Sequence, residues 1–364
     1  AGLRPGKQVS VNKSLIHFSF IRYSTMTHPS FKATLAHVAP VFLDKDATVE
    51  KACSLIREAA RNGAQLIVFP ETYIPAFPVW CALQAPIHNH DLFCELAANS
   101  IKVDGPELAK IIKTARECEI LVSMGFNEGT TVSDGCIWNS NVLIDDAGNI
   151  LCHHRKIVPT FYEKLVWAPG DGAGLEVCPT RLGRIGMLIC GENTNPLARF
   201  TLLAQGEQVH LSTYPPVWPS HDPAVHENYD LKNAILIRAG AHSFEGKLFN
   251  LVAAGYLDQA ARNQLAKRDK EAGRILDGSP RGISVAIGPH GAPISEIMQA
   301  DEGMLYANVD LSACVEPKQL HDLAGGYNRF DIFQLTVDRT AQRPIHFQYR
   351  DDDTTEPDRP TFQS

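Results

Sequence analysis

The chain has 364 residues, 44% hydrophobic and 21% charged, with a formal net charge of −7. This is the composition of a soluble globular protein with a sizeable core, and the absence of a basic stripe argues against nucleic acid as a partner. No run reaches the roughly 20 apolar residues that a membrane span needs. The nine cysteines show no CxxC and no regular spacing, so they read as free thiols in a reducing, cytoplasmic setting.

In chain order, residues 1–30 read as an artificial or disordered N-terminal extension, its short apolar patch broken by His17 and Arg22. A removed targeting peptide is the alternative. The first strand is expected over 31–42, "FKATLAHVAPVF", followed by an amphipathic helix over 44–64 with Gly63 at its end. "QLIVFPE" (65–71) is a buried strand, and the segment 72–104 is too long for a plain connection, which points to a functional loop. A helix over 105–119 and a strand over 120–126 follow, then a hairpin around the turn "DDAGN".

The second half repeats the alternation. "RIGMLIC" (184–190) is a strand, Pro196 to Gly206 a helix, "EQVHLSTY" a strand, 223–241 a helical stretch and "LFNLVAAGY" a strand. A second hairpin is expected over 283–297 and a last strand at "GMLYANVDL". Residues from 313 onwards read as helix, loop and polar tail. Strands alternating with helices twice, each half with a hairpin, predict an α/β domain with two strand layers and helices outside.

Three buried strands lead into reactive residues: Glu71, Lys156 and Cys190. Groups at strand ends converge on one rim in layered α/β folds, and ligand sites form there. A thiolate is the attacking form of cysteine, a nearby ammonium favours it, and a carboxylate can take and return its proton. The turn at Cys190-Gly191 would expose backbone N–H groups to an oxyanion. By pattern alone, however, a lone cysteine on an apolar strand is more often core. Eight other cysteines compete, of which Cys53 and Cys118 fall in helical segments and read as core thiols.

The segments "FPETYIPAFPVW", "HHRKIVPTFYEKLVWAPGDG" and "GRIGMLICGENTNPLARF" resemble the three signature segments of the nitrilase branch of the carbon–nitrogen hydrolases, in the family's order and approximate spacing. "GEQVHLSTYP", "NSNVLIDDAGNI" and "GGYNRFDIFQL" fit as well, so the resemblance spans about 31–340. It implies an α-β-β-α sandwich, with 31–312 as the hydrolase domain and 313–364 as a segment for oligomer contacts and a polar tail. It implies Glu71 as general base, Lys156 as cationic stabiliser, Cys190 as nucleophile and Glu163 as the second glutamate that orients lysine and substrate. It also implies dimers formed through the helices near the cysteine, stacked into spirals or helical filaments. Three positions depart from the family: Gly191 stands where Trp is usual, and Gly326 and Phe330 stand where the tail has His and Pro.

The implied reaction converts a nitrile to its acid and ammonia through a thioimidate and a thioester, with no cofactor. Tyr73, Trp80, Trp167, Tyr214 and Trp218 are candidates for an apolar pocket suited to an aromatic or arylaliphatic nitrile. Loss of the thiol at the first tetrahedral stage would instead release an amide, so amidase and hydratase activities are the near alternatives, and a non-catalytic assembly role the distant one. "HNHD" (88–91) and His153-His154 offer too few convergent ligands for a zinc site, so no metal is expected. "GDGAG" (170–174) lacks the Lys-Ser/Thr of a phosphate loop and reads as a turn.

Overall fold

The structure is a computed structural model that describes residues 28–343 and 345. The expected extension falls almost entirely outside the described residues, as does the acidic tail at 351–353.

Strand β1 (Ser30–His37) leads into α1 (Lys45–Arg61), β2 (Leu66–Val68), α2 (His90–Asn99) and α3 (Pro106–Glu117). Strands β3 (Leu121–Glu128), β4 (Trp138–Ile144), β5 (Ile150–Arg155), β6 (Cys178–Thr180) and β7 (Gly183–Ile189) follow. The chain continues through α4 (Pro196–Ala204), β8 (Val209–Tyr214), α5 (Leu231–Gly246) and β9 (Phe249–Ala254). It ends with α6 (Gln259–Arg268), α7 (Lys270–Gly278), β10 (Val285–Ile287), β11 (Gly303–Asp310) and α8 (Val315–Lys318).

The strands form two sheets, ordered β11-β1-β2-β3-β4-β5 and β10-β9-β8-β7-β6. Their period-2 patterning stacks them face to face. Ala33 and Leu35 of β1, Leu66 and Val68 of β2, Ile185 and Met187 of β7, and Leu251 and Ala253 of β9 share one inner core. The opposite faces pack under helices. Ala52, Ile56 and Ala59 of α1 and Leu108 and Ile111 of α3 cover Ile67, Val122 and Met124 of the first sheet. Ala198 and Leu202 of α4, with Ile235 and Ala239 of α5, cover the second. The result is the expected four-layer α-β-β-α sandwich.

Helix starts follow side-chain chemistry. Asp44 accepts from Ala47 N at the head of α1, and Asn195 accepts from Leu197 N with Pro196 at the first helical position of α4. The same effect corrects the helix expected over 223–241. Asp230 accepts from Asn233 N, so α5 starts at Leu231 and runs on to Gly246, while 223–230 is turn. The hairpin expected over 283–297 is only half formed: β10 spans Val285–Ile287, and its return is two isolated bridges, Ile287 with Pro293 and Ser284 with Met298. Pro293 has no N–H to give a ladder, and Ser295 Oγ accepts from Ala286 N instead. The long segment 72–104 contains α2, and Cys118 sits one residue past α3 rather than inside it.

Candidate active site

Strand β2 ends at Val68, so Glu71 lies three residues beyond it, on a loop pinned to β3. Phe69 N donates to Ser123 O, and Asn127 Nδ2 donates to the carbonyls of Ile74 and Ala76. Lys156 follows β5 directly, and Cys190 follows β7 directly. Glu163 sits in a short 3₁₀ turn, Phe161–Leu165, whose first residues are closed by Thr160: its carbonyl accepts from Glu163 N at 3.0 Å, and its own N–H donates to Glu163 Oε2 at 2.7 Å.

The structure brings these four side chains together. Lys156 Nζ lies 2.8 Å from Glu71 Oε1 and 2.6 Å from Glu163 Oε2, with all three side chains fully buried. Carboxylate oxygens of Glu71 and Glu163 and the sulfur of Cys190 lie within 4.8 Å of one another. Asn139 Nδ2, from β4, donates to Glu71 Oε1 at 2.6 Å. The second oxygens of Glu71 and Glu163 have no partner among the described residues.

Burial sets the protonation states. It pushes the Glu71 carboxyl up to about 7, although the Lys156 ammonium pulls it down. Burial, and then the negative charge of Glu71, hold the Cys190 thiol well above its usual range, with Lys156 opposing. Burial alone would lower Lys156, but Glu163 and Glu71 outweigh it and hold the ammonium well above its ordinary value. The resting arrangement is a neutral thiol beside a carboxyl poised near neutrality, with a permanent cation between two carboxylates. It can accept a thiol proton and return it, and it presents positive charge where an anion would develop.

Cys190 has φ 50°, the left-handed region, which disfavours an L residue by about 1–2 kcal/mol. The turn Cys190–Thr194 that it opens is held from below by Glu192. This buried carboxylate accepts from Ile157 N, from Ile189 N at 2.8 Å and from His154 Nε2 at 2.9 Å. Burial opposes its charge, but His154 and those two N–H groups hold it below the usual carboxylate range. Gly191 also has a structural reason: a Cβ there would lie 2.7 Å from Thr160 Oγ1. The hydroxyl of Thr160, the residue that opens the Glu163 turn, occupies the space into which a side chain at 191 would grow.

The five aromatic candidates do not share one cavity. Tyr73 lines a narrow cleft of about 20 Å³ that also reaches Glu71, space for about one water. Trp80 lines a separate cavity of about 270 Å³ with Cys81, Asn89 and Phe93. Trp167 is buried, with Nε1 donating to Asn127 and its ring 5.6 Å from Lys156 Nζ. Tyr214 is buried in the same cluster as Cys190, and Trp218 stacks on Tyr162 with ring centroids 5.2 Å apart. Beside Gly191 a further cavity of about 330 Å³ is lined by Val158, Thr160, Phe161 and Lys164.

The histidine pair splits as expected: His153 faces Glu128 and His154 faces Glu192. "GDGAG" is a turn, and Gly170 N donates to Lys156 O. Sequence reasoning missed Asn139, which stands at the second position of β4 with no local signal. It also missed Asn193, although this residue lies three positions after Cys190, and a buried trio of Glu207, His210 and His242.

Comparison with known proteins places these features in context. The carbon–nitrogen hydrolase profile matches residues 32–319. A protein named nitrilase 3, from an unknown prokaryotic organism, is 34% identical over 86% of this chain and 92% of its own length. An arylacetonitrilase of Aspergillus kawachii is 33% identical over 86% and 94%, and an aliphatic nitrilase of Rhodococcus rhodochrous is 30% identical over 87% and 81%. Among solved structures, a carbon–nitrogen hydrolase from Helicobacter pylori G27 superposes with a TM-score of 0.62 at 20% identity, covering 80% of this chain and 93% of that one.

Proposed function

The chain belongs to the carbon–nitrogen hydrolase family, in its nitrilase branch, and from that premise we propose that it hydrolyses an organic nitrile to the carboxylic acid and ammonia with Cys190 as nucleophile. The observation that carries the reading is the buried Lys156 ammonium bridging Glu71 and Glu163 beside the Cys190 sulfur.

Glu71 takes the thiol proton as sulfur adds to the nitrile carbon, and the proton then passes to nitrogen, giving a thioimidate. Water adds with Glu71 as base, and Lys156 and the Gly191 N–H face the charge of the tetrahedral stage. Ammonia leaves with the returned proton, giving a thioester. A second water, activated in the same way, releases the acid and restores the thiol. Glu163 holds the ammonium in place throughout. These steps use water and the named residues, with no cofactor.

The substrate class we favour is an aromatic or arylaliphatic nitrile, supported by Tyr162, Tyr214 and Trp218 near Cys190. The test is ammonia and acid release across phenylacetonitrile, benzonitrile, propionitrile and the matching amides, over a pH series. The expected result is turnover of the aromatic nitriles, with kcat/KM rising as pH passes through about 7 because Glu71 must be ionised to accept the thiol proton. Hydrolysis of the amides without the nitriles would overturn the reading.

Self-association and a cytoplasmic setting are part of the same proposal. Leu197 of α4, Ile237 and Phe244 of α5, and Tyr327, Ile332 and Phe333 of the C-terminal segment are large, apolar and exposed. An apolar groove of about 870 Å³ runs between Phe200 and this segment, the kind of surface that a second copy covers. Light scattering is expected to give a dimer or a larger stack, and a monomer at micromolar concentration would refute it.

A further inference from the structure

The structure assigns a positioning role to a buried relay behind Cys190: Glu207 and His210 orient the Asn193 carboxamide, and Asn193 holds the turn that carries the thiol. This rests on the reading of Cys190 as nucleophile.

Asn193 Nδ2 donates to Leu188 O at 3.2 Å and to Cys190 O at 3.1 Å, so it ties together the carbonyls of Cys190 and of the residue two positions before it. Its Oδ1 accepts from Ser212 Oγ at 3.0 Å and from His210 Nε2 at 2.9 Å. The opposite orientation would set the amide oxygen against two carbonyls, so the hydrogen bonds admit one. His210 Nδ1 in turn lies 2.6 Å from Glu207 Oε1, and Glu207 Oε2 lies 2.7 Å from His242 Nε2. His210 thus faces an acceptor through each ring nitrogen, and the Glu207 carboxylate bridges its ring and that of His242.

The relay is built into the fold. Its five polar side chains, Asn193, Ser212, His210, Glu207 and His242, are buried. Gly186 of β7 makes room for it, since a Cβ there would lie 2.2 Å from Glu207 Oε1. Burial would raise the Glu207 carboxyl, but His210 and His242 outweigh it and hold it at about 2. Burial and the charge of His210 lower His242 to about 4, which keeps that ring neutral. The contacts are hydrogen-bond distances between carboxylate and ring, whereas a shared metal would stand between its ligands at about 2.0–2.2 Å from each.

What the relay supplies is backbone geometry. Cys190 sits at φ 50°, a conformation that persists only where surrounding structure over-determines it. With the Asn193 donors gone, the turn relaxes and the sulfur moves away from Glu71 and Lys156. A displacement of about 1 Å lowers rate about 100-fold.

The test uses the full chain carrying Asn193→Ala, Glu207→Gln, Cys190→Ala or Leu305→Ala, the last a truncation in the inter-sheet core. Asn193→Ala and Glu207→Gln are expected to lower kcat about 100-fold with KM changed by less than about threefold. They should also slow iodoacetamide alkylation of Cys190, read by peptide mass mapping, about tenfold. Leu305→Ala, assayed well below its melting temperature, keeps the parent kcat and alkylation rate, which separates positioning from general destabilisation. A folded Asn193→Ala variant with parental kcat and Cys190 reactivity overturns the proposal, and it decides alone should Glu207→Gln not fold. Stoichiometric zinc in the parent protein, with activity lost on chelation, overturns it too. Turnover surviving in Cys190→Ala would instead refute the nucleophile.

Discussion

Cys190→Ala is expected to lower kcat on an aromatic nitrile by on the order of 10⁵-fold or more, while the protein stays folded. The buried cysteines of the core do not substitute. Cys53 packs between α1 and α3, Cys152 and Cys178 lie in the inter-sheet core, and Cys81 is pushed up to about 12, chiefly by burial. A nitrile carbon resists water, so the residual machinery of Glu71 and Lys156 has no comparable nucleophile to activate. The substitution removes one buried sulfur and keeps the backbone class of the turn, so stability should change by about 1–2 kcal/mol at most. Ammonia release and thermal melting, measured on the same preparation, check both halves. Retention of even a hundredth of the parent kcat in protein free of contaminating hydrolase would remove Cys190 from the mechanism.

Lys156→Met is expected to affect activity and stability together. It leaves Glu71 and Glu163 buried, their oxygens within 4.8 Å of one another, with no cation between them. Two carboxylates so placed cannot both stay ionised, so one takes a proton. Glu71, already raised to about 7 by burial, then loses its ability to accept a proton at neutral pH. Removing the partner of a buried charge destabilises by about 3–5 kcal/mol, and kcat/KM should fall at least 10³-fold through loss of both base and electrostatic stabilisation. Urea titration and steady-state kinetics measure the two effects. Full stability at pH 7 with lost activity would show that the ammonium serves chemistry alone, and full activity would exclude it from the site.

Much of the architecture was legible because it rests on local rules. Period-2 runs such as "FKATLAHV" and "RIGMLIC" became β1 and β7, and the apolar stripe of 44–64 became α1. Misreadings fell where a side chain overrode the pattern: Asp230 started α5 late, and Pro293 with Ser295 left the last hairpin half formed. Helices α6 and α7 went unread, although Asp258 and Asp269 cap them. The departure at Gly191 acquires its reason only in three dimensions, where Thr160, 31 positions earlier in the chain, fills the adjoining space.

The sequence by itself determined the strand and helix alternation, the family, and the candidate site residues that follow β2, β5 and β7. These follow from short-range physics: alternation reports which face is buried, caps report where helices start, and a motif is a local string. Only the tertiary structure decided that Glu71, Lys156, Glu163 and Cys190 share one buried volume, and that Asn193, His210 and Glu207 stand behind the turn. The physical reason is desolvation. A buried carboxylate, ammonium or carboxamide is tolerable only when its partner is in place, and here Lys156 meets Glu71 across 85 positions and His242 meets Glu207 across 35. Those partners come together only once two sheets have stacked, which no local pattern records.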